Sequence, residues 1–359
     1  MSVVITGSTG FLGLHLIREL LGRHPALTLL TRAGSPPALP RVLRFLEHGG
    51  MPENELRLLP RRLSLVEGDV TLPLLGLPEP VFRRLADSVD VLWHCAADIS
   101  LSPTDAAVRT RNVAGTRNVL RLLEAGPPRA VLAHASTFAV AGAQQGGIVP
   151  EAPLTGDSGF NSPYEESKFL SELLIHRWCA HHRRGAAVFR LPGLITDAPA
   201  YPGRPEHPLA TVAAVCRAAL RAHPEVIGPD GTVRLPGTNP DAVINYLPVE
   251  HVARVMAETV DRALPAHGAY IQHITHPAGT PVGTFLSALT RGLGGRPVFV
   301  PDPLPPASAA QRAAGEMWGR FLPFMAGTRR YETARTRAMG LDWPADAPLD
   351  EAYLVRSLA

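Results

Sequence analysis

Lysine is almost absent from this chain. Of 359 residues, 35 are lysine or arginine, and reading the sequence leaves one lysine, Lys168. An ammonium is a compact, strongly hydrated point charge, and a planar guanidinium cannot replace it at a defined position. A sequence that uses arginine everywhere else therefore indicates a specific chemical role for Lys168.

Cysteine is also scarce, and the three cysteines, Cys95, Cys179 and Cys216, show no C-x-x-C spacing. The absence of this spacing argues against a disulfide framework or a zinc site and is typical of buried thiols in a reducing compartment. The 14 histidines contain no H-E-x-x-H pattern, so we expect no metal.

No stretch of 18 or more apolar residues occurs, which predicts no membrane span. The first strand is predicted to begin next to Met1, so we expect no signal peptide and a cytoplasmic location. The net charge of +3 is small for this length. It weakly favours an anionic ligand or partner and gives no support for nucleic-acid binding.

Apolar runs alternate with amphipathic stretches through the first half of the chain. Strands alternating with helices of this length predict parallel βαβ units and an α/β, Rossmann-type doubly wound sheet. The predicted strands are 2–6, 27–31, 63–67, 89–95, 130–135 and 186–190, and the predicted helices are 11–22, 80–88, 106–125 and 164–182.

The alternation weakens after residue 190, which predicts two regions. Residues 1–195 are expected to form a Rossmann-type domain, with parts of 245–276 returning to it, including a strand near 269–276. Residues 196–244 and 277–359 are expected to form a smaller, mostly helical substrate-binding region. Its predicted helices are 209–222 and 307–326.

The segment Thr6–Gly13, TGSTGFLG, follows the first predicted strand and opens the first helix. Glycines at these positions allow a tight turn, close approach of a pyrophosphate and packing of the helix on the sheet, with the helix N-terminus facing the phosphates. The predicted dinucleotide contacts are Gly7, Ser8, Thr9, Gly10, Phe11, Leu12 and Gly13.

The end of the second strand carries Arg32 where sites selective for NAD usually carry an acidic residue. The next acidic residue is Glu47. A guanidinium fork suits a 2′-phosphate, so the sequence favours NADP over NAD.

Tyr164 and Lys168 are four residues apart on a predicted helix and therefore lie on one helix face. A tyrosine with its ordinary pKa of about 10 exchanges protons poorly at neutral pH. A nearby ammonium and an oxidised nicotinamide would both favour the phenolate, so we expect the pKa of Tyr164 to be lowered. The ammonium can also bind the hydroxyls of the cofactor ribose.

The hydroxyls of Ser136 and Thr137 stand at the end of the fifth predicted strand. Open α/β sheets bind ligands at the carboxyl ends of their strands. One of these hydroxyls is therefore a candidate to polarise the substrate oxygen.

These motifs, together with Arg-Asn-Val-Ala-Gly-Thr at 111–116, resemble those of the extended short-chain dehydrogenase/reductase superfamily, in the same order. The resemblance covers about residues 1–195. It implies a catalytic Thr137, Tyr164 and Lys168, with Asp69 against adenine. The other implied cofactor contacts are Val70, Ala96, Ala97, Tyr164, Lys168, Leu191 and Gly193.

Three further features are similar to the thioester reductase and fatty acyl-CoA reductase branch, whose NAD-binding domains are of the male sterility type. They are the segments GDVTLPLLGL at 68–77 and INYLPVEHVA at 244–253, and Arg32 followed by a helical insert at 40–48. This resemblance implies NADPH-dependent reduction of an acyl thioester to an aldehyde or alcohol. The oxyanion would be held by Thr137 and Tyr164.

No adenylation or carrier motif is evident, so we expect the thioester to be presented by a separate carrier protein or by coenzyme A. A homodimer is among the expected oligomeric states. Residues Arg204, His207 and Tyr246 are candidates for the substrate border, and His94 is interpreted as a packed histidine.

Other activities stay open. A reductase of a free ketone or alcohol uses the same three residues. A sugar-nucleotide dehydratase needs Asp-Glu after the threonine, where Phe138-Ala139 stands, and an epimerase carries Asn-x-Tyr-Gly-Pro, where residues 190–195 read RLPGLI. A non-catalytic redox sensor on this fold typically lacks the Tyr-Lys pair.

Overall fold

A computed structural model describes residues 1–32, 37–100, 105–222, 224, 227–236, 239, 242–291, 296–300, 327–344 and 349–358. The helix predicted at 307–326 lies outside the described residues. No helix in the described ranges is long and apolar enough to cross a membrane.

Fifteen strands occur in the described ranges, and most of those in the first half have the predicted bounds to within two residues. They are β1 (Val3–Thr6), β2 (Leu27–Thr31), β3 (Leu63–Glu67), β4 (Val91–His94), β5 (Val131–Thr137), β6 (Ile148–Val149), β7 (Gly185–Leu191), β8 (Gly193–Ile195), β9 (Thr232–Pro236), β10 (Val243–Ile244), β11 (Tyr246–Pro248), β12 (Gly268–His273), β13 (Thr280–Pro281), β14 (Arg296–Val300) and β15 (Arg330–Tyr331).

The helices predicted in the first half also occur within two residues of their expected bounds. Two 3₁₀ turns, Pro73–Gly76 and Phe138–Ala141, occur as well. The α-helices are α1 (Phe11–Leu21), α2 (Ala38–His48), α3 (Glu53–Leu56), α4 (Leu59–Arg62), α5 (Glu79–Ser88), α6 (Ala107–Ala125), α7 (Pro163–His182), α8 (Pro208–Ala222), α9 (Val249–Ala263), α10 (Val282–Arg291), α11 (Ala334–Ala338) and α12 (Glu351–Leu358).

Seven parallel strands form the central sheet in the order β3-β2-β1-β4-β5-β7-β12. The order reverses between β1 and β4, and ligands of open α/β sheets bind at this reversal, at the carboxyl ends of the strands. The fold is therefore the predicted Rossmann-type doubly wound sheet.

Successive residues of the central strands bury opposite faces of the sheet. In β4, Trp93 packs in one apolar cluster and Leu92 in the other, and both are fully buried. The same division separates Phe189 from Val188 in β7. Parallel strands buried on both faces need cover on both faces, which is why the strands are apolar runs without polar alternation.

The register of the strands aligns the ends that matter for function. Thr6 of β1 is opposite His94 of β4, and His94 is opposite His134 of β5. In the neighbouring pair of strands, β5 and β7, Thr137 is opposite Leu191. The turn after β1, the loop after β4 and the ends of β5 and β7 therefore meet at one edge of the sheet.

The second half of the chain returns to this edge. Strand β12 pairs with β7, within the range where a returning strand was predicted, and β11 pairs with β8. The described part of the C-terminal region contains α8, α10 and α12. It also contains the strand pairs β9–β14 and β10–β13, and its strand β15 pairs with β6 of the first half of the chain. None of these pairs was predicted from the sequence.

Candidate active site

The glycine turn between β1 and α1 leaves no room for side chains. Gly7 has φ of +68°, and a Cβ on it would lie 2.5 Å from the backbone nitrogen of Ala96. A Cβ on Gly13 would lie 2.1 Å from the carbonyl oxygen of Gly7, while the Gly10 N–H donates to that oxygen at 3.0 Å. The turn is therefore held by backbone contacts that only glycine permits.

The same turn leaves polar groups without protein partners. The Ser8 side chain is 1% exposed, and its Oγ has no hydrogen-bond partner in the described part of the chain. Helix α1 begins after Gly10 with no side-chain cap and no acidic residue in its first turn. Free N–H groups at a helix start and an orphaned hydroxyl fit the phosphates of a dinucleotide.

The loop after β4 lies against this turn. The Ala96 N–H donates to Thr6 Oγ1 at 3.3 Å, and Ala97 is exposed beside it. The two alanines predicted to border the cofactor are thus at the same sheet edge as Gly7.

Asp69 and Val70 follow β3. Asp69 Oδ1 accepts hydrogen bonds from the backbone and the hydroxyl of Thr71, at 2.8 and 2.7 Å, and its second carboxylate oxygen makes no such bond within the described residues. The Val70 carbonyl accepts from Asn118 of α6 at 2.9 Å, and its side chain lies against Gly115. Helix α6 therefore fixes the Val70 segment, through Gly115 of the Arg-Asn-Val-Ala-Gly-Thr motif and through Asn118 just beyond it.

Arg32 follows β2 directly and is exposed, and β2 is the neighbour of β1 in the sheet. Its side chain donates no hydrogen bond to a described residue. An exposed guanidinium beside the glycine turn is available to a phosphate of the ligand.

The hydroxyls of Thr137 and Tyr164 meet across the sheet edge. Thr137 ends β5, is buried and accepts a hydrogen bond from the Ala139 N–H at 3.2 Å. A hydrogen bond between its hydroxyl and that of Tyr164 favours the phenolate. Tyr164 lies in the first turn of α7, which Ser162 caps by accepting from the Glu165 N–H at 3.3 Å.

Lys168 is one turn further along α7 and is buried. Its Nζ donates to the Ala135 carbonyl at 2.6 Å and lies 3.4 Å from Nε2 of His134. Burial lowers the pKa of Lys168 to about 8, against the opposing charge of Glu172 and the Cys95 thiol. The lysine is therefore anchored to β5 beside the threonine.

The pKa of Tyr164 was expected to be lowered by Lys168, but the net effect of the protein's own groups is to raise it. Burial raises the pKa of Tyr164 to about 12, the Thr137 hydroxyl lowers it less than that, and the charge of Glu165 raises it further. The tyrosine is consequently a protonated hydroxyl at neutral pH.

Ser136 does not share the position of Thr137. Neighbouring residues of a strand face opposite sides of the sheet. The Ser136 hydroxyl donates to Glu172 Oε1 at 2.5 Å. Glu172 is paired with Arg190 at 2.8 Å, and their side chains are 5% and 0% exposed. Ser136 thus belongs to a buried ion pair under α7.

A buried polar network extends from Lys168 behind the site. His94 Nδ1 is 2.9 Å from Thr6 Oγ1, and its Nε2 is 3.4 Å from Thr116 Oγ1. Burial and the charge of Lys168 lower the pKa of His94 to about 3, and they lower that of His134 well below its usual range. Both imidazoles are therefore neutral, and His94 is packed as interpreted from the sequence.

Asn112 joins the loop after β4 to α7. Its Nδ2 donates to the Asp98 carbonyl and to Ser167 Oγ, both at 2.9 Å, and its Oδ1 accepts from the Asp98 N–H at 2.7 Å. No individual function was predicted for Asn112 or His134 from the sequence. Two signals could have pointed to them: Asn112 lies in the α6 motif, and His134 lies three residues before Thr137.

The expected cofactor contacts after β7 lie beside this cluster. Leu191 is buried opposite Thr137, and the Gly193 N–H donates to the Asn245 carbonyl at 3.0 Å. The sheet edge therefore brings together the glycine turn, the loop after β4, Thr137 and the residues that follow β7.

Two of the three candidates for the substrate border are buried. Tyr246 is fully buried in the core. His207 is also buried, with Nε2 2.8 Å from the Ser357 carbonyl and Nδ1 accepting from the Ala210 N–H, so it joins α8 to α12. Arg204 donates to the Ala198 carbonyl. Tyr246 is paired with Gly193, and the His207 ring lies 5.7 Å from that of Phe11, so their place at the substrate border stays a prediction.

Comparison with known sequences supports the family resemblance. Residues 5–256 match the family profile described as male sterility protein, which is an NAD-binding domain. The isonitrile lipopeptide synthase of Streptomyces coeruleorubidus is 33% identical over 180 residues, which are 49% of this chain and 12% of that protein. The chain thus spans a small part of the length of this curated relative.

Solved structures have the same fold. The terminal R domain from the myxalamid PKS-NRPS biosynthetic pathway has a TM-score of 0.73 at 20% identity, over 99% of this chain and 89% of that one. A thiolation-reductase di-domain from an archaeal non-ribosomal peptide synthetase has a TM-score of 0.68 at 18% identity, over 99% of this chain and 88% of that one.

Proposed function

Because this chain belongs to the male sterility family of NAD-binding domains, we propose that it is an NADPH-dependent reductase of acyl thioesters. The observation that carries the proposal is the pair of hydroxyls on Thr137 and Tyr164, which meet beside the buried Lys168. Reduction of a thioester needs donors at the oxygen where negative charge develops, and these hydroxyls supply them.

NADPH would be held by the glycine turn, the α1 N-terminus, Asp69 and the alanines after β4. The exposed guanidinium of Arg32 supports NADPH over NADH, because it offers a forked donor beside the turn where no carboxylate stands. When bound, NADPH would supply the hydride that adds to the thioester carbonyl carbon.

The phenol of Tyr164 suits the direction of reduction. With a pKa raised to about 12 by burial, it is protonated at neutral pH and can give its proton to the developing oxyanion. The Thr137 hydroxyl can donate to the same oxygen. Collapse of the hemithioacetal then returns this proton to the Tyr164 phenolate, breaks the carbon–sulfur bond, releases the thiolate and leaves an aldehyde.

Lys168 would orient the cofactor ribose. Its ammonium has three donors, of which one reaches the Ala135 carbonyl and a second can reach His134 Nε2. The third is left for a ribose hydroxyl. This division of donors gives a physical reason for one lysine in a chain that otherwise uses arginine.

The thioester would be presented on the phosphopantetheine arm of a carrier domain. The support comes from the thiolation-reductase di-domain, whose reductase shares this fold, and from the R domain of a PKS-NRPS pathway. The net charge of +3 is compatible with an acidic carrier but adds little.

The test follows NADPH oxidation by absorbance with acyl-CoA and acyl-pantetheine substrates, and it identifies the aldehyde or alcohol formed. Turnover of a thioester with release of free thiol is the expected result. A free ketone, a free alcohol and a UDP-sugar serve as competing substrates. Turnover of one of these without turnover of any thioester would replace the proposal by the corresponding alternative.

A further inference from the structure

A pocket adjoins the catalytic cluster on the side of the C-terminal region. Its lining includes both apolar and polar side chains. The lining residues used below are Phe138, Val243, Ile244, Asn245, His276 and Tyr331.

The pocket touches the site at two points. Phe138 immediately follows Thr137 at the end of β5, and the ring of Tyr331 packs on it edge to face with centroids 5.3 Å apart. On the other side, the Asn245 carbonyl accepts the hydrogen bond of the Gly193 N–H. The pocket is therefore bordered by the neighbour of the reactive hydroxyl and by the partner of an expected cofactor contact.

The wall that carries Tyr331 is firmly attached. Arg329 donates to the carbonyls of Gly142 and Gln144, at 2.5 and 3.0 Å, and its guanidinium lies 5.9 Å from the centre of the Phe138 ring. Strand β15 then pairs with β6. A pocket with a fixed wall can discriminate between ligands by shape.

His276 is held in the pocket with one defined tautomer. Asn245 brackets its backbone, accepting from the His276 N–H and donating to the His276 carbonyl, both at 2.8 Å. Nδ1 accepts from the N–H groups of Ala278 and Gly279, at 3.2 and 3.0 Å.

Because Nδ1 is an acceptor and burial lowers the pKa of His276, the ring is neutral and its proton is on Nε2. Nε2 makes no hydrogen bond with a described residue. His276 therefore offers a neutral donor in a pocket whose other surface includes Phe138, Val243 and Ile244.

We infer that this pocket binds the acyl group of the substrate and that His276 selects acyl groups carrying a neutral hydrogen-bond-accepting oxygen along an otherwise apolar chain. The inference rests on the proposed function and goes further by naming a substrate class. A purely hydrocarbon chain leaves the Nε2–H without a partner, and an unmatched donor in a mostly buried site disfavours binding.

The experiment compares pantetheine thioesters of octanoate with those of 3-, 5- and 7-hydroxyoctanoate and of octanedioate. In the wild-type protein, at least one hydroxyoctanoyl thioester should have kcat/KM about tenfold above that of octanoyl, the size of one neutral hydrogen bond. Equal kcat/KM for octanoyl and all three hydroxy chains would overturn the inference. A preference for the octanedioyl chain would overturn it too, since the exposed Arg330 of the lining would then be the selecting group.

Two variants distinguish the role of the Nε2 donor of His276 from that of Nδ1, which accepts hydrogen bonds from Ala278 and Gly279. His276→Asn retains an acceptor near the position of Nδ1 and removes the Nε2 donor, so it should abolish the hydroxyl preference, measured as the ratio of kcat/KM for the hydroxyoctanoyl and octanoyl thioesters. His276→Gln offers a donor near the position of Nε2 and should retain part of the preference. A preference that survives in His276→Asn would overturn the inference.

A failure of the proposed function can be distinguished from a failure of the inference about the acyl group. If the wild-type protein reduces no thioester, the proposed function fails and the acyl-group inference fails with it. If it reduces octanoyl and hydroxyoctanoyl thioesters alike, the reductase function stands and only the role of His276 falls.

Discussion

The Nζ of Lys168 donates a hydrogen bond to the backbone carbonyl of Ala135, with 2.6 Å between the two atoms. This bond joins the helix that carries Tyr164 to the strand that ends in Thr137. The distance between the hydroxyls of Tyr164 and Thr137, which are proposed to be reactive, is thus controlled partly by the side chain of Lys168. An arginine could not form the same contact, because its longer planar head would have to displace His134 or β5.

Replacing Tyr164 by phenylalanine should lower kcat by 10²- to 10⁴-fold, the usual contribution of a positioned proton donor. The affinity for NADPH should change little, because the ring and its packing are retained. Stopped-flow NADPH oxidation and a fluorescence titration measure the two quantities. Undiminished kcat would remove Tyr164 from its proposed role.

Replacing Lys168 by arginine keeps the charge but displaces it, so we expect kcat/KM to fall by about 100-fold, the cost of a misplacement of about 1 Å. The KM for NADPH should rise as well. Near-normal kinetics would mean that the ammonium has no specific function.

The pH dependence of kcat/KM gives a second test of Lys168. Its pKa is lowered to about 8 by burial, with Glu172 and Cys95 opposing the shift and the neutral His94 and His134 adding no charge. The amine is charged below this pKa and neutral above it, so activity should fall as the pH rises through about 8. In Lys168→Arg the remaining activity should lack this decline, because a guanidinium stays protonated.

Replacing Arg32 by alanine should raise the KM for NADPH by 10- to 100-fold and leave that for NADH unchanged, since a hydrogen-bonded ion pair with the 2′-phosphate is lost. Arg61→Ala removes the same charge from an exposed site in α4 and serves as the control. Steady-state kinetics with both nucleotides measure the effect. Equal changes for NADPH and NADH would assign Arg32 no part in the selection.

Replacing Gly13 by alanine should weaken NADPH binding and destabilise the protein by about 1–3 kcal/mol, because the new Cβ would lie 2.1 Å from the Gly7 carbonyl oxygen. Gly22→Ala at the end of α1 is the matched control, since its Cβ would make an ordinary contact of 3.5 Å with Glu19. Urea unfolding and NADPH titration would show whether the two variants differ.

Replacing Glu172 by glutamine should cost about 3 kcal/mol or more in the free energy of unfolding, because it leaves the buried charge of Arg190 without its partner. Glu166→Gln, on the same helix, loses a pair with Arg109 whose side chains are 34% and 50% exposed, and should cost less than 1 kcal/mol. Urea denaturation of both variants measures the difference. Similar costs would contradict a structural role for the buried pair.

Much of the first half of the chain could be predicted from local pattern. Six predicted strands and the helices between them occur within about two residues of their expected bounds, because apolar runs and the glycine turn are local features. In the C-terminal region, β9 and β14 pair across more than 60 positions, and no local pattern specifies that pairing. The burial of Tyr246 could not be predicted for the same reason, since burial depends on distant neighbours.

The sequence by itself determined the fold class and the glycine turn, and it nominated the three side chains of the proposed active site, because each depends on spacing along one or two adjoining elements. Only the tertiary structure decided which groups surround them. It brought His134 to Lys168, turned Ser136 toward the Glu172–Arg190 pair, raised the pKa of Tyr164 by burial and fixed the tautomer of His276. These outcomes depend on strand register and on contacts between distant segments, and both arise when the chain packs.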